Sequence, residues 1–269
     1  MAWVSHVEVD TYWKMSLTYC STVHAREWVT TMTVEYLAYQ LIAGYGKNEN
    51  VTSFVDNYDF YLIPVVNPDG FVYSQTQDRL WRKNRAPPLP GANTSHPCWG
   101  VDLNRNWPHE WEGVGSSNNS CTQTYRGASP GSEPEMSGMQ HFADKLAESH
   151  GLKLFIDWHS YSQLILSPYG YSCEVVPETN EAHVELMAAT ADAIEAVYGT
   201  QYTTGPTCQT IYATNGGSSD YVYDISGSEW SLAFELRDTG TYGFILPPEQ
   251  IKPNCEEVWA GMQVMLSMI

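Results

Sequence analysis

Positive charge is scarce in this sequence. It contains 13 Lys and Arg residues against 31 Asp and Glu residues, which gives a formal net charge of -18. The basic residues nowhere form the stripe that a nucleic-acid-binding surface requires. Long apolar runs are also absent, and none approaches the roughly 20 residues of a membrane-spanning helix. We therefore expect neither nucleic acid nor a membrane as a partner.

The six cysteines form no Cys-x-x-Cys pair, which excludes a paired-cysteine zinc site. Residues 1–10 also lack the charged start and the apolar core of a signal peptide. The even number of cysteines, several of them beside Gly- and Ser-rich loops, nevertheless favours an oxidising compartment. We expect a secreted protein.

Neither an internal repeat nor a linker is visible, so residues 1–269 are expected to form a single domain. Residues 44–57 are interpreted as a connection, 67–70 as a turn, and 77–120 as a long loop of the kind that is usually functional. Apolar periodicity predicts strands at 15–23, 59–66, 153–158 and 229–236, and helices at 28–42, 134–149, 179–198 and 248–269. This alternation predicts an α/β fold with a mixed, mostly parallel central sheet covered by helices on both faces.

Polar side chains follow or end several of the predicted strands, namely His24, Glu27, His159 and Glu235. Active sites of such sheets form outside the carboxyl ends of the strands. Taken singly, each residue also has a structural interpretation. His24 and Glu27 could simply open a helix, and His159 could be a core histidine. Glu235 could pair with Arg237.

Taken together, the four residues have the composition of a catalytic zinc site. Two imidazoles and one carboxylate, from His24, His159 and Glu27, suit zinc better than calcium or magnesium and leave one position for water. Glu235 could then act first as a general base and afterwards as a general acid.

The long loop holds most of the arginines of this base-poor chain. Arg82, Asn104 and Arg105 are suited to charge-assisted, forked hydrogen bonds to a carboxylate. A buried guanidinium pair implies an anionic group on the substrate.

Several motifs occur together and in order along the chain. They are His24-Ala-Arg-Glu-Trp, Asn67-Pro-Asp-Gly-Phe, Arg79-Leu-Trp-Arg-Lys, Gly100-Val-Asp-Leu-Asn-Arg-Asn-Trp, His159-Ser-Tyr-Ser-Gln, Ile211-Tyr-Ala-Thr-Asn-Gly-Gly and Phe234-Glu-Leu-Arg-Asp-Thr-Gly. In this combination the sequence resembles the zinc metallocarboxypeptidases of the pancreatic A/B type, and more the A-type members. The likeness runs from about Cys20 to the C-terminus.

The resemblance implies roles for individual residues. His24, Glu27 and His159 would bind one zinc ion, which is the ligand set known from carboxypeptidase A, and Glu235 would be the general base. Arg82 would stabilise the oxyanion. The C-terminal carboxylate of a peptide would be held by Asn104, Arg105 and Tyr212, and Tyr212 would lie on a loop that closes over the substrate. The neighbouring subsites would be lined by Arg26, Ser160, Tyr161 and Phe244. The implied activity is the release of single C-terminal residues from peptides or proteins.

The resemblance also implies a pocket for the C-terminal side chain. Its walls would include Gly170, Thr207, Ile211, Thr214, Ser219 and Ala233. Family members that are specific for basic residues carry an aspartate at the position of Ser219. An uncharged pocket therefore implies a preference for aromatic and aliphatic C-terminal residues.

Two disulfides follow from the same resemblance, Cys98 with Cys121 and Cys173 with Cys208. Each would restrain a substrate-binding loop. Cys20 and Cys255 have no assignable partner and are expected to be free and buried.

The N-terminal part departs from the family pattern. Family members have a signal peptide, a pro-segment, a further helix and two strands before the position of His24, whereas residues 1–14 match nothing in the family. We therefore expect an N-terminally shortened catalytic domain that lacks the first strands and helix and acts as a monomer. Two alternatives stay open. The chain could be inactive or poorly folded, or it could be a zinc deacylase of small acyl-amino acids, which would share the metal ligands but not the full peptide-binding set.

Overall fold

The central sheet of the protein is mixed and mostly parallel. A computed structural model describes residues 14–88 and 97–269, and within these residues the sheet has six strands in the order β2-β1-β3-β6-β4-β5. The antiparallel pairing is that of β4 with β6, and the other pairings are parallel. The strands are β1 Met15–Ser21, β2 Tyr58–Ile63, β3 Leu152–Ser160, β4 Leu164–Ser167, β5 Thr203–Pro206 and β6 Trp230–Leu236. The predicted fold class is confirmed.

Helices connect the strands and cover the sheet. They are α1 Trp28–Gly44, α2 Glu49–Asn57, α3 Pro68–Thr76, α4 Pro134–His150, α5 Asn180–Tyr198, α6 Thr207–Thr210, α7 Ser218–Asp224 and α8 Pro248–Met268, with a short 3-10 helix at Leu103–Arg105. Within the described part of the chain, no helix is both long and apolar enough to cross a membrane.

Strand β3 contributes side chains to two hydrophobic cores, one on each face of the sheet. Side chains alternate along a strand, so Leu154, Ile156 and Trp158 pack with α1, α5 and α8 on one face. Phe155 packs with α4 and α7 on the other face. Buried side chains of β3 therefore contact helices on both faces.

Two local predictions were wrong, both because an asparagine caps a helix. Residues 44–57 include helix α2, where the Asn48 side chain accepts a hydrogen bond from the Val51 amide at 3.2 Å. Residues 67–70 are the start of helix α3 rather than a free turn. The Asn67 side chain accepts from the Gly70 amide at 2.9 Å, and a proline at the first helical position fits this arrangement.

The sequence also failed to indicate the shortest elements, β4, β5, α6 and α7. Elements of 4 to 7 residues are too short to show a clear periodicity. The long loop at 77–120 is confirmed for its described part, which contains only the 3-10 helix. Residues 1–13 and 89–96, which include nearly all of the predicted unmatched segment 1–14 and part of this loop, lie outside the described residues.

Both predicted disulfides are present, Cys98–Cys121 and Cys173–Cys208. They close loops of 23 and 35 residues, for which chain entropy gives roughly 3 to 4 kcal/mol of stabilisation each. Cys20 and Cys255 are free and buried, as predicted.

Candidate active site

Three neighbouring parallel strands, β1, β3 and β6, end at the same edge of the sheet. His24 comes three residues after the end of β1. His159 was expected to follow its strand, but it lies inside β3, where it is the register partner of Glu235 in β6. Glu27 immediately precedes α1. The fold therefore brings the four residues together.

His24, Glu27 and His159 form a buried group in which donor atoms face one another. The Nδ1 atoms of the two histidines are 3.0 Å apart. Glu27 Oε1 lies 2.9 Å from His24 Nδ1, and Glu27 Oε2 lies 3.0 Å from His159 Nδ1. Donors on a tetrahedral zinc with bonds of about 2.0–2.1 Å would stand roughly 3.3 Å apart. The spacing and the chemistry of this donor set fit one zinc ion.

The other nitrogen of each histidine faces a buried aspartate. His24 Nε2 is 3.0 Å from Asp102 Oδ1, and His159 Nε2 is 2.9 Å from Asp157 Oδ2. Carboxylates in this position fix the orientation and the tautomer of a metal-binding histidine. Sequence reasoning missed both aspartates. A signal was present for Asp157, because residues two apart on a strand point to the same face.

Arg82 is joined to this group through Asp102. Its Nε and Nη2 donate to Asp102 Oδ2 at 3.0 and 2.8 Å, and its backbone carbonyl accepts from the Ala25 amide at 2.9 Å. Burial disfavours the charged guanidinium, but Asp102 and Glu27 hold the pKa of Arg82 above its usual value. Arg82 therefore stays cationic beside the carboxylates of Asp102 and Glu27.

Arg105 is a buried cation that has no close counter-ion among the described residues. Its side chain is held by backbone carbonyls, with Nε donating to Gly115 at 2.7 Å and Nη1 donating to Asn104 at 2.7 Å. Among residues 14–88 and 97–269, no carboxylate forms an ion pair with it. A buried charge is costly unless it is paired, so this guanidinium is suited to receive an anion.

Gly115 makes this arrangement possible. Its φ is +99°, and a Cβ at this position would lie 1.8 Å from the Ala213 carbonyl oxygen. Only glycine tolerates both the backbone conformation and the close approach. The loop that carries the Gly115 carbonyl can therefore pack against the segment that contains Tyr212.

Glu235 is partly exposed to the same cavity. Its enclosure by the protein raises the pKa of Glu235 to about 8, and Glu27 adds to this effect, whereas His159 and Arg82 oppose it. A carboxyl group with a pKa near neutrality is suited to both accept and donate a proton.

One cavity joins the metal-ligand candidates to the predicted side-chain pocket. The residues named from the sequence that line it are His24, Arg82, Asn104, Arg105, His159, Thr207, Ile211, Tyr212, Thr214, Ser219, Ala233 and Glu235. Gly170 is not part of this lining and lies behind Thr214, where a Cβ would clash with the Thr214 hydroxyl. The sequence did not indicate four further lining residues, Leu166, Gly217, Ser218 and Asp220.

Asp220 changes the expected charge of the pocket. Its carboxylate oxygens accept hydrogen bonds from the backbone amides of Gly170 and Tyr171 at 3.0 Å. Burial raises the pKa of Asp220 to about 6, although these amides lower it. The pocket is therefore not free of carboxylates, but this carboxylate is engaged with the backbone.

The predicted subsite residues form a separate cluster beside the cavity. The Arg26 guanidinium lies 4.0 Å from the centre of the Phe244 ring, and the Tyr161 and Phe244 rings are 4.9 Å apart. Ser160 is buried, and its amide donates to Glu27 Oε2 at 3.3 Å. Tyr212 is 60% exposed and stands at the cavity mouth.

The comparison with known proteins agrees with this geometry. A family model described as zinc carboxypeptidase matches residues 8–261 of this chain. The metallocarboxypeptidase A of Trichophyton tonsurans is 50% identical over 258 residues, which cover 95% of this chain and 60% of that protein. Carboxypeptidase A2 of Mus musculus is 44% identical over 248 residues, which cover 92% of this chain and 57% of that protein.

A solved structure has the same fold. The crystal structure of thrombin-activatable fibrinolysis inhibitor is 35% identical and superimposes with a TM-score of 0.91, covering 99% of this chain and 65% of that one. The chain thus spans about three fifths of the length of the curated relatives that it matches.

Proposed function

This chain belongs to the zinc carboxypeptidase family, and from that premise we propose that it is a zinc-dependent exopeptidase that releases single C-terminal residues from peptides. One observation carries the proposal. The cavity that contains His24, His159 and Glu235 also contains Arg105, a buried guanidinium that needs an anion.

The metal would be held by His24, Glu27 and His159. A bound zinc ion supplies an acidified water and a Lewis acid that polarises the scissile carbonyl. Asp102 supports His24 by accepting from its Nε2 at 3.0 Å. The ligands are therefore oriented before the metal binds.

Glu235 is proposed to move the proton. Its carboxylate would accept a proton from the attacking water and then donate it to the leaving amine. The raised pKa of Glu235, about 8 in the metal-free protein, supports the second step, because a carboxyl group that holds a proton near neutral pH can pass it to the leaving amine.

The C-terminal carboxylate of the peptide is proposed to bind Asn104, Arg105 and Tyr212. Desolvation of the Arg105 guanidinium is compensated only when a carboxylate reaches it. An internal peptide bond brings no carboxylate to this position, so the charge would restrict cleavage to the chain end. Tyr212, exposed at the mouth, would close over the bound residue.

Arg82 is proposed to stabilise the oxyanion that forms on the carbonyl. It lines the cavity and remains charged beside Asp102. The Arg26, Tyr161 and Phe244 cluster, with Ser160 at its base, would contact the residues that precede the scissile bond. These contacts would favour peptides over small acyl-amino acids.

The pocket is proposed to prefer aromatic and aliphatic C-terminal residues. Ser219 is neutral, and the Asp220 oxygens are bound to amides. The carboxyl group of Asp220 is neutral below its pKa of about 6 and anionic above it, so the acceptance of arginine relative to phenylalanine should rise with pH. We expect peptides that end in Phe or Leu to be cut faster than those ending in Arg or Glu between pH 5 and 8. Faster release of Arg than of Phe at pH 7.5 would contradict this preference.

The proposed setting is extracellular, with the chain acting as a monomer on free peptide or protein C-termini. The two disulfides support an oxidising compartment.

Metal removal tests the proposed function. We expect the chelated protein to release no C-terminal residue from an acetylated peptide ending in Phe, and stoichiometric zinc to restore release, because Glu235 is proposed to deprotonate a water that the metal has acidified. The same peptide with an amidated C-terminus should resist cleavage. Folded, zinc-loaded protein that releases nothing would refute the proposal. Protein that cleaves acetyl-phenylalanine but not the longer peptide would favour the deacylase.

A further inference from the structure

Asp157 is a buried carboxylate on β3 that neither transfers a proton nor contacts the substrate in the proposed reaction. It is 0% exposed, and among the described residues no lysine or arginine forms an ion pair with it. Its contacts are His159 Nε2 at 2.9 Å, the Ser218 hydroxyl at 2.6 Å and the Cys20 thiol at 3.5 Å. A carboxylate in such surroundings is costly unless it is compensated, and the basic group that it contacts, His159, is a proposed metal ligand.

Two groups compete for His159 Nε2. The Asn104 side-chain amide nitrogen lies 3.2 Å away, and Asp157 Oδ2 lies 2.9 Å away. An amide nitrogen can only donate a hydrogen bond, whereas a carboxylate oxygen can only accept one. The identity of the bonded partner therefore fixes whether Nε2 carries a hydrogen.

The choice of partner decides whether His159 can bind a metal. If Nε2 accepts from Asn104, the neutral ring carries its hydrogen on Nδ1, the atom that faces His24 and Glu27. If Nε2 donates to Asp157, the Nδ1 lone pair is free for a metal.

The same choice affects the substrate side. Asn104 Oδ1 accepts from the Ser218 amide at 2.8 Å, which fixes the orientation of the Asn104 side chain. With Nε2 donating to Asp157, the Asn104 amide nitrogen has no acceptor on His159 and is available to a substrate carboxylate. Ser218 also donates to Asp157, so one serine holds both residues in place.

We propose that Asp157 is a positioning residue that selects the metal-binding tautomer of His159 and thereby leaves the Asn104 amide free for the substrate. This inference rests on the proposed metal site. It makes His159 the counterpart of His24, whose Nε2 faces Asp102.

The test compares zinc affinities of the full chain by competition with a chelator. For Asp157→Asn we expect roughly 10- to 100-fold weaker zinc binding, the usual effect of losing such a partner. We also expect a raised KM for peptides, because the Asn104 amide would then donate to His159 Nε2 instead of to the substrate carboxylate. Cys20→Ala is the matched control, since Cys20 contacts the other oxygen of the same carboxylate and has no part in the reaction. Its zinc affinity should equal that of the wild type. Melting temperatures of the metal-free forms separate lost stability from lost affinity.

A second measurement does not depend on the folding of a variant. In zinc-loaded wild-type protein with labelled histidine, the Nε2 hydrogen of His159 should give a low-field, slowly exchanging proton resonance. Absence of this resonance, or equal zinc affinities of the Asp157→Asn and wild-type proteins, would overturn the inference. If the wild type itself binds no zinc, the proposed function fails instead.

Discussion

Replacing Glu235 with glutamine is expected to lower the rate of C-terminal residue release by about 10²- to 10⁴-fold, the usual contribution of a general acid–base group. Glutamine keeps the shape of the side chain but can neither accept the proton of the attacking water nor protonate the leaving amine. Steady-state kinetics on a peptide ending in Phe measure the effect, which should fall on kcat more than on KM.

The variant should remain folded and should bind zinc. Glu235 is not among the metal-ligand candidates, and its surroundings already disfavour the charged form, because burial raises its pKa to about 8. In the metal-free protein this raised pKa means that Glu235 lowers stability as the pH rises from about 4.5 through 8. Glutamine removes that loss, so the melting temperature above pH 8 should not fall. Retention of more than a tenth of the wild-type kcat would show that another group moves the proton.

The long, periodic elements could be predicted from the sequence, since their apolar patterns are set by the two cores. Helix α8 and strand β6 were predicted within one residue of their observed starts. The short helices that begin at a capping asparagine, Asn48 or Asn67, could not be predicted from the sequence. An asparagine before a short polar segment is compatible with a turn or with a helix start, and only packing, such as that of Phe54 in the core, decides between them.

The metal-ligand candidates were indicated by the sequence because each stands near a strand end or a helix start. The groups that tune them were not. Asp102 approaches His24 from 78 positions away, and no local pattern encodes such a contact. Asp220 was missed for another reason. The charge of the pocket was predicted from the neighbouring residue Ser219 alone. In the structure the Asp220 carboxylate also lies at the pocket, where it accepts hydrogen bonds from the amides of Gly170 and Tyr171.

Replacing Arg105 with methionine is expected to reduce kcat/KM for peptides with a free C-terminus by roughly 10²- to 10⁴-fold. Removing one partner of a buried charge pair costs about 3–5 kcal/mol, and each 1.4 kcal/mol is a factor of ten. Methionine fills most of the space, so the loss reports the charge. Zinc affinity should not change, because Arg105 contacts the carbonyls of Gly115 and Asn104 rather than the metal-ligand candidates.

Arg126→Met is the matched control for this variant. Arg126 pairs with Glu112, whose side chain is 71% exposed, and such pairs contribute about 0–1 kcal/mol, so kcat/KM should stay close to the wild-type value. Added guanidinium ion should partly restore an Arg105→Ala variant, because the ion can occupy the position that alanine leaves empty and pair with the substrate carboxylate. If Arg105→Met loses less than tenfold while Arg126→Met is unchanged, the carboxylate binds elsewhere. The restriction to chain ends would then have to come from the closing loop of Tyr212 rather than from a buried charge.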